Sequence, residues 1–258
     1  MATYLHIPQP PLSGYVDLIW LSEDYAQPHP QERLLPTGAM TLVIFLDEDG
    51  RKGTGFSGPH SEFMLLDTSR PFSMIGVAFK PGGGFPFVSL PAGELHNLGV
   101  PLDAVWGRHA EEIVDRLLDA KTPQARFGIV ERALAKRAAG RLEGHPAVRY
   151  ALKQFDTSAP FRSVADVTAQ IGLSSRRFIE IFRNEVGLTP KLFCRIRRFQ
   201  KVLAALEDAS EVDWSGVALA CGYFDQAHFI HDFRAFAGVN PSTYLRYRTH
   251  RNHVAVHD

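Results

Sequence analysis

The chain has 258 residues, 28 Lys and Arg balanced by 28 Asp and Glu, and 45% hydrophobic residues. That length and balance exclude a disordered or collagen-like chain and leave room for two domains, each with its own core. Two cysteines exclude a disulfide-stapled scaffold and point to a reducing compartment.

Met1 to Pro11 carries no basic segment followed by an apolar run, and no stretch approaches the roughly 18 apolar residues of a membrane span. The expected setting is therefore the cytoplasm, without a membrane partner. An apolar run follows from Tyr15 through Trp20 and Leu21, then proline-rich polar text to about Glu32. Met40 to Leu46 predicts a buried strand, closed by the turn signal Asp47-Glu48-Asp49-Gly50. Gly53 to Phe56, Phe63 to Leu66 and Phe72 to Phe79 predict further short strands. Strands of this kind with turn text between them predict a small antiparallel barrel or sandwich. Pro81-Gly82-Gly83-Gly84 lacks the Gly-Lys-Ser/Thr of a phosphate-cradling loop and predicts a plain loop.

From Pro91 the pattern becomes helical. Ala110, Ile113, Val114, Leu117 and Leu118 share one helical face, and Thr122-Pro123 starts a second helix carrying Phe127, Val130 and Leu134. The text thins at Ala138-Ala139-Gly140-Arg141 and again at Gly144-His145-Pro146. Residues 1–144 are therefore read as one domain, 146–248 as a second and 249–258 as a tail. Pro146 opens a helix with Val148, Leu152 and Phe155. His250, His253 and His257 lie in the tail, which reads as a frayed end. His29 with Glu32, and His60 with Glu62, read as solvated surface pairs.

The second domain contains the same short text twice. Ser163, Gly172, Phe178, Phe182, Gly187 and Pro190 recur as Asp213, Gly222, Phe229, Phe233, Gly238 and Pro241, offset by 50 residues up to the glycine and 51 after it. Ser163 and Asp213 are N-cap residues, and Ser163 with Asp166 approaches a capping box. Gly172 and Gly222 stop the first helices, and Ser174 or Asp225 caps the helix that follows at once. Two helices joined by a short glycine-containing turn place the second in the DNA major groove. Phe178, Ile181, Phe182 and Val186 make the buried stripe of the first such helix, leaving Arg176, Ile179, Glu180 and Arg183 outward with Arg177 nearby. In the second copy Phe229, Phe233 and Phe236 are inside; Gln226, Ala227, Ile230, His231 and Arg234 face out. Arg and Gln read guanine and adenine edges bidentately. Between the copies, Pro190 to about Leu206 predicts a strut of roughly 25 Å at 1.5 Å per residue, carrying Lys191, Arg195, Arg197, Arg198 and Lys201. Residues 1–145 hold 13 basic against 17 acidic groups and the remainder 15 against 11, so the repeat half is the basic one.

The run Asp225-Gln226-Ala227-His228-Phe229, then Phe233, Gly238, Asn240-Pro241 and Tyr244, resembles the signature of the AraC/XylS family of bacterial transcription regulators. The resemblance covers about Pro146 to Arg248. It implies two helix-turn-helix units reading adjacent major-groove segments of double-stranded DNA, with RNA polymerase as a partner. By position, Arg176, Ile179, Glu180, Gln226, Ala227, Ile230 and His231 match base-facing sites, and His228 a site beside the phosphates. Ile179, Glu180, Ala227 and Ile230 cannot donate to a base edge, and Gly216 weakens its helix by roughly 0.5–1 kcal/mol relative to Ala.

In the family the front half is often a cupin-like barrel followed by helices that pair two subunits, so a homodimer is an open expectation. The predicted fold class is thus α+β: a small antiparallel β barrel or sandwich with helices, then an all-α double helix-turn-helix domain. Two roles for the front half stand side by side. Trp20, Phe45, Phe56, Phe63, Phe72 and Phe79 either line a pocket for a small-molecule effector or fill the core of an assembly platform. No His-x-His pair, nucleophile elbow or acid–base pair occurs, so no catalysis, metal or cofactor is expected.

Overall fold

The computed structural model describes residues 1–47, 53–140, 143–157, 163–207 and 212–256. His257 and the turn residues Glu48, Asp49 and Gly50 lie outside the described residues. The front half runs β1 (Ala2–His6), β2 (Val16–Tyr25), β3 (Gln31–Leu34), β4 (Thr41–Phe45), β5 (Gly55–Ser57), β6 (Met64–Asp67), β7 (Phe72–Phe79) and β8 (Gly99–Pro101), then α1 (Leu102–Trp106), α2 (His109–Asp119) and α3 (Pro123–Ala138). The back half runs α4 (Pro146–Thr157), α5 (Val164–Ile171), α6 (Ser175–Val186), α7 (Pro190–Ala205), α8 (Trp214–Ala220), α9 (Gln226–Ala237) and α10 (Pro241–Tyr247), and closes with β9 (Arg248–His250) and β10 (His253–Ala255).

The strands form two open antiparallel sheets rather than a closed barrel. One has the order β1-β2-β7-β4-β5-β8, the other β6-β3-β10-β9. Alternation along the long strands divides the first sheet into two faces. Ile19, Leu21, Leu42, Ile44, Ile75 and Val77 turn one way and are buried under α2 and α3, against Ile113, Leu117, Phe127 and Leu134. The opposite face carries Trp20, Val43, Phe45 and Met74 toward the back half. Gly76 sits under the Trp20 indole, where a Cβ would come within 2.1 Å of the ring, so only glycine fits there. Phe56 and Phe79 border the cavity between the halves and are also buried in the core. They stack on each other at 6.0 Å and pack against Trp106 and Phe87 within the core.

The caps behave as their residue types require. Thr122, Ser174, Thr189 and Asn240 each accept from the backbone N–H three positions on, and Ser163 with Asp166 completes a reciprocal capping box. Gly216 in α8 also has a local reason: a Cβ there would lie 2.5 Å from Oδ2 of Asp213, whose Oδ1 caps the helix by accepting from Ser215 N.

The tail departs most from expectation. It is not frayed: β10 pairs antiparallel with β3, His253 opposite Leu34 and Ala255 opposite Glu32. The polar text around Glu32 is therefore a central strand, held by its neighbours β6 and β10 rather than by its own propensity. His29 and Glu32 are buried, not solvated. The Glu32 carboxylate, with no exposure, accepts from Tyr25 Oη at 2.6 Å, Thr249 Oγ1 at 2.6 Å, and approaches His29 Nε2 and His253 Nδ1 at 3.1 Å each. Burial alone would raise its pKa; the hydrogen bonds from His253, Thr249 and Tyr25 outweigh it and hold the group at about 2, down from 4.5. A depressed carboxyl contributes stability above its unfolded pKa and loses it as pH falls through the folded one. Thermal melts should therefore show wild-type stability dropping between about pH 5 and 2, and Glu32→Gln should flatten that acid limb while lowering the melting temperature at neutral pH.

Candidate nucleic-acid interface

The two helix pairs, α5 with α6 and α8 with α9, share one wall. α7 contributes Phe193, Ile196, Phe199, Val202 and Leu203, all buried, and both second helices lean on them. Phe182 of α6 packs edge-on against Phe193 at 5.7 Å; Phe233 of α9 does the same against Phe199 at 5.2 Å. The 16 residues of α7 make a strut about 24 Å long.

With Phe178, Ile181, Phe182 and Val186 inside, α6 leaves Arg176, Arg177, Ile179, Glu180 and Arg183 exposed. Arg177 Nη1 reaches Glu180 Oε2 at 2.9 Å, an exposed pair that costs little to open. Arg183, at the far end of that face, rests its stem against the front half, where a Cβ on Gly93 would be 2.8 Å from its Cγ. On α9, Gln226, Ala227, His231 and Arg234 are exposed, while His228 and Ile230 are half-buried. Gln226 Oε1 accepts from Ser215 Oγ at 3.1 Å. Its amide N–H groups have no part in that bond. The His228 ring stands edge-on to Tyr223 at 5.2 Å.

The strut arginines each have a partner within the chain. Arg195 Nη2 donates to Asp232 Oδ1 at 2.7 Å and its guanidinium lies over the Phe236 ring; Asp232 is only 1% exposed. Arg198 covers Tyr223 and donates to Gly222 O at 3.2 Å, and Arg197 pairs with Asp156. Arg195 and Arg198 thus brace α9 and the turn before it, and Arg197 ties the strut to α4. Asp232 is a residue the sequence reading passed over. The signal was present: it interrupts the apolar spacing Phe229, Phe233, Phe236, and an acid on a buried stripe calls for a facing cation. Burial raises the thiol pKa of Cys194 to about 11 and raises that of Cys221, so both cysteines are poor nucleophiles.

A second feature lies between the halves. A cavity of about 1640 Å³ is bounded by the Trp20–Phe45 face of the first sheet, by β3 and β6, by α4 and α7, and by the closing hairpin. Leu152 and Phe193 add apolar wall; Lys80, Arg197, Gln200 and His253 supply polar groups. Phe63 and Phe72 lie away from it: Phe72 packs on Tyr25 and Phe45, and Phe63 meets Gly238. Among the described residues no three or more His, Cys, Asp or Glu side chains are arranged to hold a metal, and no helix is long and apolar enough to cross a membrane.

Residues 4–101 match a domain family of unknown function, DUF6597, and residues 167–247 match a helix-turn-helix domain family. No curated protein matches the chain. Among solved structures, an apo point variant of ToxT from Vibrio cholerae aligns with TM-score 0.46 and 10% identity over 88% of this chain and 97% of that one. A ToxT structure from the same organism with bound unsaturated fatty acid aligns with TM-score 0.41 and 10% identity over 93% of each chain. At those scores the likeness bears on neither ligand nor mechanism.

Removing Asp232 leaves Arg195 facing an apolar wall without its acceptor. Asp232→Ala should lower the urea midpoint at unchanged slope, a stability loss of about 1.5–3 kcal/mol.

Proposed function

We propose that this chain, whose residues 167–247 form a helix-turn-helix domain of the AraC/XylS type, is a sequence-specific DNA-binding transcription regulator. One observation carries the reading: two equivalent second helices, α6 and α9, are mounted on a common strut with their polar faces outward. In this reading they enter major-groove segments about 10–10.5 base pairs apart on one face of the duplex. Arg176 and Gln226 read base edges, since each presents donors at the exposed start of its helix. Ile179, Ala227 and Ile230 offer apolar contact, for example to thymine methyl groups. His231 also faces the bases, Arg177, Arg183, His228 and Arg234 contact phosphates, and Glu180 is released by Arg177 to accept from a base amine.

The cavity supports regulation by a small molecule. Its walls come from both halves, so an occupant touches the sheet and the strut together. Its size exceeds the roughly 300–1,000 Å³ of ordinary ligand sites. RNA polymerase and a second copy of the chain are the protein partners of such a regulator, which acts in the cytoplasm and not as an enzyme. A metabolite at 100 times its dissociation constant should stabilise the chain by about 2.7 kcal/mol in a thermal-shift screen. Absence of any shift across a broad metabolite panel would favour a constitutive binder with the front half as platform.

The DNA reading is tested on duplexes selected from random sequence. Binding should weaken with salt with a log–log slope of about −0.9 per neutralised phosphate. Gln226→Ala should cost roughly 1–3 kcal/mol and relax preference at one base position; an equal loss on random DNA would reassign Gln226 to the backbone.

A further inference from the structure

The two recognition helices end on equivalent glycines, and both glycines touch the same short stretch of the front half. Gly187 closes α6 at φ +88° and Gly238 closes α9 at φ +68°. They occupy matching places in the repeat, 51 residues apart. A Cβ on Gly187 would lie 2.4 Å from Pro59 Cγ, and a Cβ on Gly238 would lie 2.3 Å from Phe63 Cε1. Neither contact leaves room for a methyl group. Pro59 and Phe63 both belong to residues 58–63, the link between β5 and β6.

That link is itself fixed. Gly58 N donates to Leu98 O at 2.9 Å, Asn97 N to Pro59 O at 3.2 Å, and Ser61 N to Asn97 Oδ1 at 2.7 Å. Ser57 Oγ bonds His60 Nε2 at 2.8 Å, and His96 Nε2 bonds Ser61 Oγ at 2.9 Å. Arg33 stacks its guanidinium on the Phe63 ring at 5.3 Å. The partner segment, around the 3-10 turn Ala92–Leu95, supports α6 as well, through Gly93 against Arg183. A braced link that bears on the same point of both reading heads holds one relative to the other, which a strut packed along one side of each does not do alone.

We propose that residues 58–63 are a positioning segment that sets the separation and relative rotation of the two recognition helices, Pro59 bearing on the first and Phe63 on the second. The proposal rests on the DNA-reading function inferred above. Its consequence for DNA is a single preferred spacing between the two recognised segments. Inserting one base pair moves the second segment by about 3.4 Å and turns it by about 35°, so a rigid pair of heads cannot follow.

The test uses the full chain and its Pro59→Ala and Phe63→Ala variants. On selected duplexes with one or two base pairs added between the segments, the parent should lose about tenfold or more in affinity. The variants should lose much less, with affinity for random DNA unchanged and Phe63→Tyr behaving as the parent. A second measurement needs no DNA: the distance between spin labels on Arg176→Cys and Gln226→Cys, with Cys194 and Cys221 replaced by Ala. The parent should give one narrow distribution and Phe63→Ala a broadened one. If both variants keep the parent's spacing preference and label distances, even with lowered melting temperatures, the segment is ordinary packing and the proposal is overturned. If the parent binds no duplex, the DNA-reading function fails, while the labels still decide the positioning role.

Discussion

The back half depends on a shared aromatic seam. Phe193 and Phe199, six residues apart on α7, each have no more than 1% exposure, and each takes an edge-on phenylalanine from a different recognition helix. Edge-to-face pairs of this kind add about 0.5–1.5 kcal/mol beyond their buried area and fix orientation as well as contact. One core therefore serves both units, and it extends to Leu35 from the front and Val254 from the closing strand. Each head thus has its own phenylalanine on the strut, Phe193 under α6 and Phe199 under α9. The Arg195–Asp232 pair adds a directional restraint that apolar packing lacks, because it fixes the rotation of α9 about its own axis.

Much of this was legible in the residues because the signals were local. N-caps, αL glycines and the 3.6-residue spacing of phenylalanines specify helices within a dozen positions, and the repeat supplied a second set of such signals. Alternation did the same for β7, whose predicted and observed limits coincide at Phe72 and Phe79. What escaped was set by partners remote in the chain. β3 is a poor strand by composition and becomes one between β6 and β10. The strut arginines stand in sequence only as cations on one helix, and their acceptors, Asp232, Gly222 O and Asp156, come from other elements. Glu32 paired with His29 at three-residue spacing looks like a surface motif; only the arrival of Thr249 and His253 makes it the centre of a buried polar network.

The same remoteness defines how the halves meet. Gln200 on the strut donates to Pro36 O at 2.8 Å and to Asn252 Oδ1 at 2.9 Å, and the C-cap glycines meet Pro59 and Phe63. The joint is thus polar at the strut and steric at the helix ends, with the large cavity beside it. Gly58, His60 and Met64 line that cavity while Pro59 and Phe63, each next to one of them, press on the helix ends, which puts the contents of the cavity one residue away from the geometry of both heads.

The pairing of β10 with β3 joins residues more than two hundred positions apart. A nascent polypeptide emerging amino-end first therefore leaves one side of β3 unpaired, with the Glu32 carboxylate lacking two of its four eventual partners, until β10 has left the ribosome. During that interval the uncovered edge offers unpaired backbone to any neighbouring strand. Completion of the second sheet therefore waits on a strand that follows both reading heads in the chain.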